Sequence, residues 1–197
     1  MTDRTGSVSR KTNETDITVL LDLDGSRDIS AATGVPFLDH MLHALARHGR
    51  FGLTVDASGD VEIDPHHTVE DAGIAIGQAL KQALGDRTGI DRYGFAYAPL
   101  DEALARVVID CSGRPFLEYH AVFPEAVIGR DFAASLVEEF WRALAVNAGL
   151  TVHIDLLRAR NSHHAAEAIF KAGAVALRAA IRRTGDASVP STKGVLA

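Results

Sequence analysis

Apolar residues alternate with polar ones, or recur at helical spacing, in a series of segments that occurs twice along the chain. Ile17–Leu23 and Ala105–Asp110 are runs of β-branched and aliphatic residues that end in turn sequences, which is typical of strands. The segment from Pro36 carries leucines at helical spacing, with the proline in the predicted first turn and Gly49 just past the predicted end. Asp131–Ala148 is its counterpart in the second half.

The second helix of each half is longer and begins beside a histidine pair. The pattern predicts helices over Pro65–Leu84 and His163–Ile181. Asp64 is the candidate N-cap of the first helix, with proline at the first helical position, and Asn161 or Ser162 caps the second. The apolar stripes of both helices are predicted to lie against a sheet or against each other.

The chain contains an internal duplication. A shift of 97 positions, from residue 66 to residue 163, places the second half on the first without a gap, and "GLTV" at Gly52–Val55 then meets "GLTV" at Gly149–Val152. Upstream, "ITVLLDLDG" resembles "ARVVIDCSG" at a shift of 88, so the halves differ by nine residues between these blocks. Because this period is far longer than the roughly 20–50 residues of solenoid repeats, the pattern indicates a duplicated domain.

These segments predict an α+β fold with two halves related by a pseudo-twofold axis. Each half contains a small sheet and two helices, and the helices pack between the sheets. The predicted divisions are a flexible N-terminus at residues 1–8, a first half at 9–90, a second half at 91–185, and a C-terminal tail at 186–197 that contributes to the active site.

Composition narrows the class of protein. The net charge of −6 argues against a nucleic-acid partner, since such proteins usually present a basic surface. The N-terminus lacks the apolar stretch of a secretory signal, and no apolar run approaches the roughly 18 residues that a membrane helix needs. Cys111 is the only cysteine, which fits a reducing compartment, and it follows a β-branched run, which favours a buried and inert thiol. We therefore expect a cytoplasmic protein without membrane association.

Polar residues that could bind metal ions stand at the start of each long helix, in the pattern His-His-x-x-Glu. Residues three and four apart share a helix face, while adjacent residues diverge by about 100°. Each glutamate can thus reach both imidazoles of its motif, and the two imidazoles point apart, toward two ions on neighbouring flanks. Together with His40, this donor set suits Mn, Fe, Co, Ni or Zn better than Mg or Ca. The two motifs comprise His66, His67, Glu70, His163, His164 and Glu167.

Basic residues outside these motifs are candidates for holding a substrate phosphate. Each one alone is more typical of a solvated surface. The C-terminal sequence "VPSTKGVLA" strengthens the case, because it is too apolar for a loose terminus. If this tail wraps onto a neighbour, the site is shared between subunits. The basic candidates are Arg92, Arg114, Lys171 and Lys193, and Ser191 of the tail is placed beside Lys193 to hold an anion.

Six motifs in order resemble the imidazoleglycerol-phosphate dehydratases of histidine biosynthesis. They are "FLDHMLHALARHG", "HHTVEDAGIAIG", "RYGFAYAPLDEA", "DCSGRPF", "NSHHAAEAIFKA" and "PSTKGVL", and the likeness extends from about Ser9 to Leu196. The resemblance implies a duplicated α+β fold, a homo-oligomer of 24 subunits with shared active sites, and two Mn²⁺ ions per site. It also implies the conversion of D-erythro-imidazoleglycerol phosphate to imidazole-acetol phosphate and water.

The resemblance further implies roles for individual residues. Glu139 stands where some relatives have a histidine ligand, so that the site either keeps its metal with altered affinity or holds one ion more weakly. The residues that match metal ligands are His40, His66, His67, Glu70, Glu139, His163, His164 and Glu167. The residues that match substrate contacts are Glu14, His40, His48, Arg92, Arg114, Lys171, Ser191 and Lys193.

The implied chemistry is the elimination of water from a substrate whose C2 proton is not acidic by itself. An imidazole ring deprotonated between two metal ions can expel the hydroxyl of the adjacent carbon, and a carboxylate then removes the C2 proton. The resulting enol tautomerises to the ketone. Glu167 is the first candidate for this base, and Glu70 or Asp101 is the alternative. Nothing in the sequence separates them.

Two other functions fit the same residues. A dinuclear metallohydrolase of a phosphorylated small molecule would release inorganic phosphate, which a dehydratase does not. A non-catalytic metal-storage or assembly protein would not need the basic residues around its metals. The six ordered motifs favour the dehydratase over both.

Overall fold

The computed structural model describes residues 3–194 and residue 196. Within this range the chain forms ten strands and four helices. The strands are β1 Thr5–Lys11, β2 Thr15–Asp22, β3 Ile29–Ala32, β4 Gly52–Gly59, β5 Tyr93–Leu100, β6 Ala103–Asp110, β7 Phe116–His120, β8 Val127–Ile128, β9 Phe132–Ala133 and β10 Thr151–Arg158. The helices are α1 Pro36–Gly49, α2 His66–Leu84, α3 Ser135–Ala148 and α4 Ser162–Ala180.

Two four-stranded sheets with the same topology form the outer layers. The first has the order β1-β2-β4-β3, in which β1, β2 and β4 pair antiparallel and β3 joins β4 in parallel. The second repeats this arrangement in the order β5-β6-β10-β7. Alternating burial along β2 and β6 turns one face of each sheet toward the helices. The predicted duplicated α+β architecture is confirmed.

The four helices lie between the sheets. α2 packs on β1 and β2, α4 packs on β5 and β6, and the main helix pairs are α2 with α3 and α1 with α4. Phe140 and Trp141 of α3 meet Phe170 of α4, and all three are almost completely buried. Burying one phenylalanine of this kind contributes roughly 1.5–3 kcal/mol. Among the described residues, no helix combines the length and the hydropathy of a membrane span.

The offset between the two halves changes along the chain. β2 pairs with β4 through Leu21 and Leu53, and the equivalent pair in the second sheet is Ile109 and Val152. The offset is therefore 88 for β2 and β6 but 99 for β4 and β10, and it is 97 for the histidine motifs. The gapless shift predicted from the "GLTV" blocks was wrong. Gly149 caps α3 in the left-handed region, so the second "GLTV" begins in a helix cap instead of a strand.

Helix boundaries differ from the predicted ones by a few residues. Pro65 is the N-cap residue of α2, and Asp64 Oδ1 accepts a hydrogen bond from the first helical amide at 2.7 Å. Asn161 caps α4 by accepting an amide of the first turn, and it is one of the two predicted caps. α3 begins at Ser135, later than predicted, because the short hairpin of β8 and β9 takes up the preceding residues.

The N-terminal segment is part of the sheet. Its polar composition predicts flexibility over residues 1–8, whereas Thr5–Lys11 forms β1 with continuous antiparallel pairing to β2. Val8 is buried, and a Cβ added to Gly6 would lie 2.0 Å from the carbonyl oxygen of Ala79 on α2. This close packing against α2 holds the segment in place. Residues 1 and 2, and residues 195 and 197 of the predicted tail, lie outside the described residues.

Cys111 is buried immediately after β6. Burial raises the pKa of its thiol to about 12. Because the thiolate is the reactive form, this cysteine is unreactive at neutral pH, in agreement with the prediction from its sequence context.

Candidate metal centre

One cluster of metal-binding side chains forms near the N-terminal ends of α1 and α4. His40 Nε2 lies 3.3 Å, and His163 Nε2 lies 3.2 Å, from the same carboxylate oxygen, Oε2 of Glu167. The three ligand atoms lie within 4.8 Å of one another, and no second such group occurs in the part of the chain that the structure describes. The two imidazoles remain 49% and 44% exposed, so the cluster is open to a ligand or to a neighbouring molecule.

Basic side chains follow this cluster along the same two helices. Lys171 Nζ lies 2.7 Å from Oε1 of Glu167, one helical turn away. Burial disfavours the ionised carboxylate, but the hydrogen bonds from Lys171 and His40 outweigh it, and the pKa of Glu167 lies below 4.5. Partial burial, and then the Lys171 ammonium, lower the pKa of His48 below 6.5. The structure thus brings two predicted substrate contacts, Lys171 and His48, to the predicted ligands.

The two histidines of each pair diverge, as their spacing predicts. The ring centroids of His66 and His67 lie 6.0 Å apart with the planes at 89°, and those of His163 and His164 lie 6.2 Å apart at 88°. The duplication therefore repeats the side-chain geometry as well as the sequence. In each pair the first ring lies beside the glutamate of its own motif, and the second ring contacts a different carboxylate.

Carboxylates outside the motifs hold the Nδ1 atoms of these second rings. His164 Nδ1 lies 2.9 Å from Glu102 Oε2. His67 Nδ1 lies 3.0 Å from Asp60 Oδ2 and 3.8 Å from Glu14 Oε2. The hydrogen bonds to Glu102 and Asp60 are the largest causes that raise the pKa values of His164 and His67 above 6.5. A carboxylate on Nδ1 fixes the tautomer and leaves Nε2 free to bind a metal ion.

Glu102 and Asp60 were not identified as site residues from the sequence. Glu102 lies in the β5–β6 turn at an offset of 88 from Glu14, so the repeat could have identified it as the counterpart of a predicted substrate contact. Asp60 follows β4, and the residue at the equivalent place after β10 is Ala159. Because the repeat gives no signal for Asp60, only the folded chain brings it to His67.

The half-site on α2 and α3 differs from the one on α1 and α4. The offset of 99 that relates α1 to α3 places Glu139 at the position equivalent to His40. Glu139 Oε1 accepts a hydrogen bond from Arg142 at 3.0 Å, and His66 Nε2 lies 3.8 Å from Glu70 Oε2. This half-site therefore has two carboxylates where the other has one, and its donor atoms are less closely grouped.

The remaining predicted phosphate contacts lie at the opposite ends of the helices. Arg92 forms a bidentate ion pair with Asp110 at 2.7 and 3.1 Å and donates to the Pro190 carbonyl oxygen, while the Arg114 guanidinium lies 3.6 Å from the same carboxylate. The Arg92 amide donates a hydrogen bond to the carbonyl oxygen of Ala180, the last residue of α4. The histidine cluster lies at the other end of this helix, which has 19 residues and is about 28 Å long. One chain therefore keeps this group far from the histidine cluster. Its members are Arg92, Arg114, Ser191 and Lys193.

Three further residues complete the description of the candidates. Asp101 is exposed in the β5–β6 turn with a φ of 46°, and its charge contributes to the raised pKa of His164. His120 is exposed in β7, as predicted. His153 is exposed in β10 beside the ring of Phe116 and lies apart from the histidine cluster.

The donor chemistry of the histidine cluster fits a first-row transition metal. It offers imidazole nitrogens from His40 and His163 and a carboxylate oxygen from Glu167, and Cys111 is buried elsewhere. Mixed imidazole and carboxylate donors without thiolate suit Mn, Fe, Co, Ni or Zn. The open Nε2 atoms of His67 and His164 add further donors of the same type.

Comparison with known sequences identifies one family. The sequence model of imidazoleglycerol-phosphate dehydratase matches residues 33–177. The imidazoleglycerol-phosphate dehydratase of Thiobacillus denitrificans is 59% identical over 196 residues, which cover 98% of this chain and 100% of that protein. The enzyme of the same name from Nitrosococcus oceani is 56% identical over 200 residues, with complete coverage of both chains.

Solved structures show the same fold. The crystal structure of imidazoleglycerol-phosphate dehydratase from Staphylococcus aureus has a TM-score of 0.83 and 43% identity, and the match covers 91% of this chain and 99% of that chain. The Pyrococcus furiosus protein, in complex with (S)-C348, also has a TM-score of 0.83, with 36% identity over 96% of this chain and 100% of that chain.

Proposed function

Because the chain belongs to the imidazoleglycerol-phosphate dehydratase family, it is a hydro-lyase of histidine biosynthesis, and we propose that it uses two Mn²⁺ ions to dehydrate D-erythro-imidazoleglycerol phosphate. The product is imidazole-acetol phosphate. The observation that carries the metal proposal is the repeated pair of perpendicular histidine rings, each with a glutamate on the same helix. Two ions that act on one substrate ring need two matching half-sites, which the duplication supplies.

We assign the ligands to two half-sites. The bound ions supply Lewis-acid chemistry that favours the deprotonated substrate imidazole. Asp60 and Glu102 orient the second ring of each motif through Nδ1, and Lys171 neutralises part of the carboxylate charge. The first half-site draws on His66, His67, Glu70 and Glu139. The second draws on His40, His163, His164 and Glu167.

The base that removes the C2 proton is proposed to be Glu167, with Glu70 and Asp101 as alternatives. Glu167 is ionised at neutral pH, and its two oxygens contact Lys171, His40 and His163. Asp101 is exposed in the β5–β6 turn, and its charge acts on His164. General base catalysis by a positioned carboxylate typically contributes about 10²–10⁴-fold to the rate.

The phosphate contacts at the opposite ends of the helices require a second copy of the chain. Arg92, Arg114, Ser191 and Lys193 cannot reach the histidine cluster of their own chain across about 28 Å. We therefore propose that a neighbouring subunit supplies them, as in the predicted 24-subunit assembly. Held by these residues of the neighbouring subunit, the phosphate would orient the reacting carbon relative to the metals. The cytoplasmic location also stays a prediction.

Turnover of the metal-stripped protein before and after addition of Mn²⁺ tests the proposal. We expect no product without Mn²⁺ and full activity with it. Replacement of Glu167 by glutamine should lower kcat by about 10²–10⁴-fold. A matched control is Glu118→Gln, since Glu118 Oε1 lies 2.8 Å from His120 Nε2 in a similar Glu–His contact on β7. Release of inorganic phosphate in place of the dehydration product would support the metallohydrolase instead.

A further inference from the structure

A partly buried ionic network ties α2 to the first sheet, directly beside the histidine motif. Asp71 follows Glu70 on α2 and is only 7% exposed. Its Oδ1 accepts hydrogen bonds from Arg10 Nε and Nη2 of β1 at 3.1 and 2.8 Å. Its Oδ2 accepts a short hydrogen bond from the hydroxyl of Thr15 at the start of β2. We call these three residues the Arg10–Asp71–Thr15 network.

The second half of the molecule replaces the whole network with alanine. The offset of 88 for the strands and of 97 for the histidine helices gives the three equivalent positions. All three are buried, with 8%, 1% and 0% exposure. They are Ala98, Ala103 and Ala168. The same arrangement of helix and sheet therefore occurs twice in one molecule, once with the Arg10–Asp71 ion pair and once without an ion pair.

This substitution pattern argues against a purely stabilising role. The Asp71 carboxylate is buried while the Arg10 side chain stays 32% exposed, so the aspartate carries most of the desolvation cost. Replacing a buried ion pair by apolar residues is often neutral or stabilising. The second half accommodates alanine at all three equivalent positions, and each alanine is buried. The retained charges in the first half are therefore better explained by what they position.

The network is connected to the Nδ1 partners of His67. The turn between β1 and β2 carries Glu14, and the Thr12 hydroxyl accepts hydrogen bonds from the amides of Glu14 and Thr15. The Glu14 carbonyl oxygen accepts the amide of Asp60 at 3.2 Å, and the Asp60 carboxylate contacts His67 Nδ1 at 3.0 Å. A continuous chain of hydrogen bonds thus leads from Asp71, through Thr15 and the turn, to the imidazole.

The second half needs no such chain, because Glu102 contacts His164 Nδ1 directly at 2.9 Å. The equivalent residue Glu14 stays 3.8 Å from His67 Nδ1, and Asp60 takes its place. The two half-sites therefore orient equivalent imidazoles by different means.

We infer that the Arg10–Asp71–Thr15 network is a positioning device that fixes the Glu14 turn, and through it Asp60 and His67, for metal binding in the first half-site. The inference rests on the proposed function, since it concerns the affinity of one of the two Mn²⁺ ions. The other half-site is independent of the network. Loss of the network should therefore lower the affinity for one Mn²⁺ ion and leave the affinity for the other unchanged.

The first test compares a triple alanine variant of the network with the single Asp71 variant. The triple variant Arg10→Ala, Thr15→Ala and Asp71→Ala copies the alanine arrangement of the second half, whereas Asp71→Ala alone leaves the arginine without its partner. We expect the single variant to unfold at a lower urea concentration and the triple variant to recover much of that loss. In a calorimetric Mn²⁺ titration, the triple variant should bind one ion with an affinity lowered by about 10–100-fold and the other with wild-type affinity.

A conservative pair keeps the test decisive if the triple variant does not fold. Thr15→Val removes only the hydroxyl that contacts Asp71, whereas Thr15→Ser keeps it. We expect Thr15→Val to lower the affinity for the same Mn²⁺ ion and Thr15→Ser to retain wild-type affinity. Wild-type affinity for both ions in the folded triple variant, or in Thr15→Val, would overturn the inference.

Mn²⁺ binding and product formation distinguish a failure of the proposed function from a failure of the positioning role. If the wild-type protein binds no Mn²⁺ and forms no product, the proposed function fails. If the wild-type protein binds two ions and forms product, but the variants match it in both affinities, only the positioning role fails.

Discussion

The two nitrogens of each second-ring histidine have separate tasks. Nδ1 of His67 and of His164 is held by a carboxylate, so that Nε2 is the atom left for a metal ion. The same carboxylates raise the pKa of the rings, because they favour the protonated form while no metal competes with the proton. At the residue scale, the proposed metal binding therefore competes with protonation of these rings.

We expect the His164–Glu102 pair to stabilise the metal-free protein only in a mildly acidic range. The hydrogen bond from His164 lowers the pKa of Glu102 from 4.5 to about 2, so its contribution is present above pH 4.5 and is lost as the pH falls toward 2. The same hydrogen bond raises the pKa of His164 above 6.5, so that contribution is complete below pH 6.5 and is lost as the pH rises through the raised value. The pair is thus most effective between about pH 4.5 and 6.5.

Urea unfolding of wild-type protein and Glu102→Gln in the presence of a chelator checks this range. The difference between their midpoints should be largest within it and should shrink on both sides. Glu125→Gln is the matched control, because the Glu125 carboxylate accepts the amide of Ser162 and its pKa is lowered by hydrogen bonds from that residue, not by a histidine. Its effect should persist above pH 6.5. Identical pH profiles for the two variants would contradict the prediction.

Replacement of Asp101 tests the assignment of the base. We expect Asp101→Asn to bind both Mn²⁺ ions and to change kcat by less than about tenfold, since Glu167 is the proposed base. Mn²⁺ content is measured alongside turnover, because loss of a ligand lowers both, whereas loss of a base lowers turnover alone. A much larger fall in kcat with full Mn²⁺ content would identify Asp101 as the base.

At the scale of elements, the first strand of each sheet approaches its long helix closely at a glycine. A Cβ on Gly6 would lie 2.0 Å from the Ala79 carbonyl oxygen, and a Cβ on Gly94 would lie 2.0 Å from the Ala176 carbonyl oxygen. The obstacle is backbone in both cases, so it cannot rotate away. These contacts set how closely α2 and α4 approach β1 and β5.

We expect Gly6→Ala to destabilise the protein by about 1–3 kcal/mol, as overpacking against a fixed neighbour typically does. Urea unfolding at constant pH measures the change. Ser7→Ala is the control, because Ser7 is exposed on the same strand and only its backbone amide bonds to α2, so its effect should stay within about 0.5 kcal/mol. Equal effects for the two variants would show that the close approach is unimportant.

At the scale of the whole molecule, the predicted active-site residues divide between the two ends of the helical layer. The histidine motifs lie at the N-terminal ends of α2 and α4, and the group around Arg92 and Asp110 lies at the C-terminal end of α4. A single chain therefore holds the two parts of one proposed site about 28 Å apart, the length of a 19-residue helix.

Mixing two inactive variants tests whether neighbouring subunits complete each site. Glu167→Gln damages the histidine cluster, and Lys193→Ala damages the tail. After joint unfolding and reassembly, random mixing should restore about a quarter of the wild-type activity, because each site draws on two subunits. Glu167→Gln mixed with His163→Ala is the control, since both changes damage the same cluster and should give no recovery. Absence of recovery in both mixtures would contradict shared sites.

The sequence by itself determined the four helices, the strands β2 and β6, the duplication and the histidine motifs. Helical spacing places His66, His67 and Glu70 on adjoining faces whatever surrounds them, because that geometry depends only on the turn of the helix. The six ordered motifs likewise predicted the family to which the chain belongs.

Only the tertiary structure decided which distant residues meet these motifs. The sequence does not show that Asp60 reaches His67 or that Asp71 pairs with Arg10, because both contacts join segments far apart in the chain. It also misplaced the "GLTV" repeat, since a glycine favours the left-handed helix cap at Gly149 while the same four letters begin a strand at Gly52. Local periodicity fixes what a segment forms, and packing against the rest of the chain fixes where its side chains act.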